Sequence, residues 1–232
     1  MRANALAVMA KAPLPGDTKT RLIPALSAVE AAELARALLL DQLAHLAAIT
    51  NADLYLAFTP AAEQPLFAEL APPVYRLVAQ QGEELGARML NVFETLHAQG
   101  YRSIVLIGGD LPPVPLENFT ETFALLESPG RRVVLGPSRD GGYYLVGCNQ
   151  PVPEVFTGMT WSHSEVLAQT ISRLSSSAVE TRVVAPWFDI DTMDDINFLR
   201  TQLDAKLANA AKNLLGCLWR LERDGRINSP RR

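Results

Sequence analysis

The reading of the fold rests on one stretch near the N-terminus, Ala5-Leu6-Ala7-Val8-Met9-Ala10-Lys11-Ala12-Pro13-Leu14-Pro15-Gly16-Asp17-Thr18-Lys19-Thr20-Arg21-Leu22. Its first residues, Ala5 to Met9, form a short unbroken apolar run, the pattern of a strand buried on both faces. The strand empties into a loop with three cations, two prolines and a glycine. That is how the first strand of an open α/β sheet meets a ligand crevice. Prolines stiffen the loop, and Gly16 permits close backbone approach. Lys11, Lys19 and Arg21 bring charge-assisted donors suited to phosphate oxygens. Lys11, Pro15, Gly16, Lys19 and Arg21 are therefore candidate nucleotide contacts, with a solvated cationic loop as the competing reading. The loop is not a Walker A motif, because Thr18 precedes Lys19 and Pro13 stands where the earlier glycine belongs.

Outward from this loop, apolar runs alternate with helical patterns, which signals an α/β sheet with helical crossovers. The predicted strands are Ala5 to Met9, Asp53 to Phe58, Val74 to Val78, Ser103 to Ile107, Arg132 to Leu135, Tyr143 to Gly147 and Val179 to Val184. Predicted helices run from Ser27 to Ala48, Glu83 to His97, Leu116 to Leu126, Ser162 to Leu174 and Thr192 to Leu207. Ser27 and Glu30 form a capping box at the start of the first. Thr192, with Asp194 and Asp195 in the next turn, opens the last. These elements imply a single-domain three-layer α/β/α sandwich around a mostly parallel, Rossmann-like sheet.

The chain has 232 residues, 48% apolar and 20% charged, with net charge −4. That supports a substantial core and argues against a general nucleic-acid binder, which needs clustered cations. Cys148 and Cys217 make neither a disulfide framework nor a four-ligand zinc site. The apolar run before Lys11 is too short for a secretory peptide or a membrane span, so a soluble cytoplasmic protein is expected. From Lys206 to Arg232 there are seven basic and two acidic residues, so this tail is about +5 and the rest about −9. Residues 1–205 are expected to form the α/β domain, the nucleotide-binding one on the resemblance given below, and 206–232 a basic helical tail. Leu214, Leu215, Leu218 and Leu221 mark an amphipathic helix that docks on the domain or on a second copy in a homodimer, with a membrane-surface role as the alternative.

Three further segments carry carboxylates to candidate sites. In Ile104-Val105-Leu106-Ile107-Gly108-Gly109-Asp110-Leu111-Pro112-Pro113, a buried strand delivers two glycines and Asp110 to the sheet edge. A carboxylate there can hold Mg²⁺, or can cap a turn. In Trp187-Phe188-Asp189-Ile190-Asp191-Thr192, strand alternation sends only one of Asp189 and Asp191 inward, and Asp191 is the preferred metal ligand. In Gly136-Pro137-Ser138-Arg139-Asp140-Gly141-Gly142-Tyr143-Tyr144, Asp140 is either a hairpin turn former or part of a sugar-hydroxyl or acceptor site with Gly141, Gly142 and Tyr143.

Six segments in order, AKAPLPGDTKTRL, QQGEELGARM, LIGGDLPP, LGPSRDGGYYLVG, TGMTWSHSEV and FDIDTMDDI, resemble a bacterial family with the nucleotide-diphospho-sugar transferase (GT-A-like) fold. This is the DUF2064 or arsenosugar-biosynthesis-type glycosyltransferase family, and the likeness spans about Leu6 to Leu199. The chain departs from the family pattern at Gly109 and Leu111, at Glu84 and at His163, which alters the acceptor side. The resemblance implies phosphates on Lys11, Lys19 and Arg21, a catalytic role for Asp110, Lys19 and Asp140, and Mg²⁺ (or Mn²⁺) on Asp110. Gln80, Gln81, Gly82, Arg88 and Gly109 are then base, ribose or backbone contacts, with a helix-surface cation as the alternative for Arg88. Trp161 and Ser162 border the acceptor, and His163 beside them is either an acceptor contact or a surface residue. The family label implies glycosyl transfer from a sugar nucleotide to a small acceptor. The Lys11–Leu22 loop also resembles that of phospholactate guanylyltransferases, and Pro112 removes the paired Asp-x-Asp of many GT-A enzymes. Both features fit the alternative, a nucleotidyltransferase acting on a phosphorylated or acidic molecule with pyrophosphate release. A non-catalytic nucleotide-binding protein is the third reading.

Overall fold

The computed structural model describes residues 2–228. The elements in chain order are β1 (Arg2–Lys11), α1 (Ala28–Leu46), β2 (Asp53–Thr59), α2 (Gln64–Leu70), β3 (Tyr75–Ala79), α3 (Leu85–Ala98), β4 (Tyr101–Gly108), α4 (Leu116–Leu126), β5 (Arg131–Pro137), β6 (Tyr143–Cys148), α5 (Val166–Ser175), β7 (Val179–Val183), α6 (Met193–Gln202), α7 (Ala205–Ala210) and α8 (Lys212–Arg223). The seven strands form one sheet in the order β3-β2-β1-β4-β6-β5-β7. Only β6 is antiparallel to its neighbours.

Side-chain alternation along the strands builds two cores. Leu6, Val8, Leu54, Leu56, Val105 and Ile107 face Leu39, Leu43, Phe67, Phe119 and Phe123 of α1, α2 and α4. Ala5, Ala7, Tyr55, Ile104 and Leu106 face Met89, Phe93, Phe156 and Leu174 on the α3–α5 side. This is the three-layer sandwich expected. A third cluster joins the outer face of α1 to α6, α7 and α8 through Leu34, Leu38, Ile196, Leu199, Leu214, Leu218 and Leu221.

Register places the functional loops. Lys11 pairs with Thr59 across β1 and β2, and Met9 pairs with Gly108 across β1 and β4. The strands therefore end level, and their loops leave from one carboxyl edge. Because β6 runs in reverse, the β5–β6 hairpin tip at residues 138–142 reaches that edge too.

All seven predicted strands form, and the Ser27–Glu30 capping box is present. Three helical expectations need correction. The segment predicted to start at Ser162 becomes helical only at Val166, because Ser162 is left-handed, with φ 66°. The Thr192–Leu207 segment breaks at Leu203, and the Asp204 side chain accepts from Leu207 N at 2.7 Å to start α7. The seven-residue α2, opened by Pro65, was not anticipated. Ala205, the expected end of the nucleotide-binding domain, opens α7, and α8 packs along α1. Arg231 and Arg232 of the basic tail lie outside the described residues. No helix among the described residues is long and apolar enough to cross a membrane.

Candidate active site

At the carboxyl edge of the sheet lies a cleft of about 430 Å³. One side is made by Lys11, Thr18, Thr59, Gln80 and Arg88, and the other by Asp140, Tyr143, Trp161, Ser162 and His163. Between them sit Gly108, Gly109, Asp110 and Asp189.

Lys19 is the electrostatic centre. It is left-handed, with φ 49°, and closes a tight turn that drives its side chain inward. Its ammonium donates to Asp110 Oδ2 at 2.9 Å and Asp191 Oδ1 at 2.8 Å. Burial works to lower the Lys19 pKa, but the fields of Asp110 and then Asp191 outweigh it and the net shift is upward. Lys19 holds Asp110 below the usual carboxylate range against the effect of burial. Lys11 donates to Asp17 O at 2.8 Å, drawing the loop back over the strand. Pro15 and Gly16 are exposed, and Gly16 has φ 87° with open space where a Cβ would stand. Exposed Arg21 approaches Asp191 at 3.9 Å.

Gly109 N donates to Met9 O at 2.9 Å, and a Cβ on Gly109 would stand 3.1 Å from that carbonyl oxygen. The glycine thus lets the β4 loop lie against β1 and fixes the position of Asp110. Gln80 Nε2 donates to Ala57 O at 2.7 Å. Gln81 is exposed and is not among the cleft-lining residues. Gly82, with φ 130°, accepts from Arg88 Nε at 2.9 Å, which folds Arg88 onto the β3–α3 loop.

On the far side, Asp140 Oδ1 accepts from Gly142 N at 2.9 Å, an Asx turn at the hairpin tip. Its carboxylate also lines the cleft, so the turn and ligand readings coexist in one residue. Gly141 has φ 90°, and its backbone lies so close to Ser164 that a Cβ would sit 2.0 Å from Ser164 O. The hairpin is thereby locked to the turn that carries Trp161, Ser162 and His163. Trp161 packs edge-on against Tyr143, at 6.2 Å between ring centroids.

Of the two carboxylates Asp189 and Asp191, it is Asp189 and not the preferred Asp191 that lines the cleft. Asp191 meets Lys19. Residues 184–192 lie outside regular strand structure, so alternation does not govern them. Burial, then the charges of Asp191, Asp110 and Asp140, push Asp189 up to about 6. Two carboxylates, Asp110 and Asp191, thus meet the buried ammonium, and Asp189 and Asp140 lie within electrostatic reach of that pair. The donor chemistry fits a hard divalent cation that takes one or two carboxylates and completes its shell with water and phosphate oxygens. Among the described residues, no three His, Cys, Asp or Glu side chains are close enough for an all-protein metal site. Thr18, Thr59, Ser138 and Met89 also line the cleft and were not singled out from sequence. Thr59 was accessible to such reasoning, since it ends the strand beside β1.

A sheet with one reversed strand and a carboxyl-edge cleft defines the nucleotide-diphospho-sugar transferase fold. A protein from Desulfovibrio desulfuricans G20, provisionally named a nucleotide-diphospho-sugar transferase, superposes with TM-score 0.86 at 31% identity over 95% of each chain. Residues 42–163 match DUF2064, described as an uncharacterized protein conserved in bacteria. The chain belongs to the DUF2064 family. A 4-diphosphocytidyl-2C-methyl-D-erythritol synthase from Anaerococcus prevotii DSM 20548 shares the fold at TM-score 0.57 and 12% identity, covering 86% of this chain and 96% of its own. Rv0371c from Mycobacterium tuberculosis H37Rv, in a structure with manganese, does so at TM-score 0.50 and 18% identity, covering 88% and 100%. No curated protein matches the sequence.

Proposed function

We propose that the protein is a nucleotide-dependent transferase and that its reaction is glycosyl transfer from a sugar nucleotide to a small acceptor. One observation carries the reading: buried Lys19 bridges Asp110 and Asp191 at the carboxyl edge of the sheet. A buried ammonium beside a cationic loop is suited to phosphate oxygens, and two carboxylates beside it are suited to a divalent cation. Lys11, Lys19 and Arg21 take the phosphates. Gln80, Gly82 and Arg88 border the base and ribose, with Gln81 at the exposed rim. Asp140, Tyr143, Trp161 and Ser162 form the acceptor side, where Asp140 receives a hydroxyl and orients it. Asp110, with Asp189 or Asp191, holds Mg²⁺ or Mn²⁺, and the manganese-bound Rv0371c structure supports that choice of metal class. When bound, such a cation neutralises charge on phosphate oxygens.

Nucleotidyl transfer is the second reading, favoured by Pro112, which leaves Asp110 without an Asp-x-Asp partner. The test incubates sugar nucleotides and nucleoside triphosphates with Mg²⁺ or Mn²⁺ and identifies the leaving group. Nucleoside diphosphate released from a sugar nucleotide in an acceptor-dependent way supports glycosyl transfer. Pyrophosphate from a triphosphate supports nucleotidyl transfer instead. Nucleotide binding with neither product returns the protein to a non-catalytic role.

A further inference from the structure

Arg139 sits at the hairpin tip between the acceptor side and the carboxylates, and it is absent from the cleft lining. Its guanidinium lies 4.2 Å above the Phe198 ring centroid of α6 and 3.6 Å from Asp195 Oδ1. The other oxygen of Asp195 accepts from Asp191 N at 3.1 Å, Thr192 N at 2.8 Å and Thr192 Oγ1 at 2.7 Å. Asp195 therefore holds the backbone of Asp191, whose carboxylate meets Lys19. Neighbouring contacts run the same way. Trp187 N donates to Pro137 O at 3.0 Å, and Ser138 Oγ donates to Asp189 Oδ1 at 3.3 Å.

We propose that Arg139 is a positioning residue that joins the β5–β6 hairpin to the Asp189–Asp195 segment, so that the acceptor side and the cation-holding carboxylates keep one geometry. It acts through Asp195 and touches no ligand. A planar guanidinium suits the task because it stacks on Phe198 while presenting a donor edge to Asp195. The two Asp195 oxygens divide the work: Oδ2 closes the α6 capping box and holds the Asp191 amide, while Oδ1 pairs with Arg139, which fixes the orientation of that carboxylate. The proposal deepens the functional reading above and rests on Asp191 belonging to that site.

The test uses Arg139→Ala, Arg139→Gln, Arg139→Lys and Asp195→Asn in the full chain. Hydrogen exchange is read at the amides of Asp191 and Thr192, and binding of Mn²⁺ alone is followed by the paramagnetic resonance of the free ion. Losing a contact that orients a ligand through an intermediary costs about tenfold or more in metal affinity when fully engaged, and a half-exposed ion pair costs less. Arg139→Ala and Arg139→Gln are therefore expected to raise exchange at these two amides and to weaken Mn²⁺ binding about three- to tenfold. Arg139→Lys should retain most of both properties, and Arg139→Ala added to Asp195→Asn should cost little further. A loss of general packing alone would raise exchange along the whole hairpin and leave Mn²⁺ affinity unchanged. Wild-type exchange at Asp191 and Thr192 in Arg139→Gln, or full additivity with Asp195→Asn, overturns the proposal. A wild-type protein that binds no Mn²⁺ counts against the metal reading, while the exchange result still decides the role of Arg139.

Discussion

Lys19 and Asp110 stand 91 residues apart in sequence, yet the ammonium of one lies 2.9 Å from the carboxylate of the other. The pair links the first loop of the sheet to the end of its central strand. On the proposed function, this ammonium serves two partners in turn, the carboxylates when the cleft is free and phosphate oxygens when a nucleotide enters. Lys19→Ala is expected to weaken nucleotide binding, with a larger loss for di- and triphosphates than for the monophosphate. Calorimetry on the three ligands checks it. Equal losses would show that Lys19 only holds the loop together.

Asp189 yields a pH prediction opposite in sign to that of a salt-bridged carboxylate. Its folded pKa is raised from 3.8 to about 6. Between those values the folded state binds more protons than the unfolded state, so stability contributed by this group is present at low pH and falls as pH rises through 6. Asp189→Asn removes the penalty. In metal-free buffer the variant should gain about 1–2 kcal/mol at pH 7.5, less than the roughly 3 kcal/mol of the full shift because Asp189 is partly exposed. Little gain is expected at pH 4. Melting curves at the two values check it, and an equal shift at both would refute the titration.

Asp140 separates its two roles under one substitution. Asn keeps an oxygen for the Gly142 N–H and suits the same turn, so Asp140→Asn should melt within a few degrees of wild type. It loses the negative charge that faces the cleft. Transfer should fall roughly tenfold to more than a hundredfold, the range for a charge-assisted hydrogen bond of about 1.5–3 kcal/mol, while free-nucleotide affinity stays near wild type. An unchanged transfer rate would leave Asp140 with the turn alone.

Much of this architecture was legible because it is written in local patterns. Apolar or β-branched runs mark the strands, down to the mixed Val179–Val183 of β7, and Ser27 and Glu30 announce the start of α1 three residues apart. The cationic loop and Gly109-Asp110 could be placed at one edge once the strands were known. What the sequence concealed depends on irregular backbone or distant partners. Nothing local shows that Asp189 lines the cleft while Asp191 meets Lys19, because period-2 reasoning ends where the strand ends. Nor does anything local say that Lys19 is buried between residues from two other segments, or that Arg139 turns away from the cleft onto α6.

The basic tail makes the last case, because its anchor lies 172 residues away. Asp41, buried in α1, accepts from Asn213 N at 3.0 Å, Asn213 Nδ2 at 2.7 Å and Leu214 N at 2.8 Å. It thereby satisfies the first free amides of α8 and sets a negative charge at that helix end. Asp41→Ala would bury those donors without an acceptor, at a cost of about 2–4 kcal/mol. The loss falls on the α1–α8 contact, while the two cores against the sheet keep their packing. Cys217 lies in that contact and Cys148 in the sheet core, and both thiols are buried. If residues 206–228 open as their own unit, Asp41→Ala should expose Cys217 to a thiol reagent at least tenfold faster than wild type, while Cys148 stays protected. Mass spectrometry of the labelled peptides distinguishes the two sites. Simultaneous labelling of both cysteines would mean that the tail unfolds only with the whole domain.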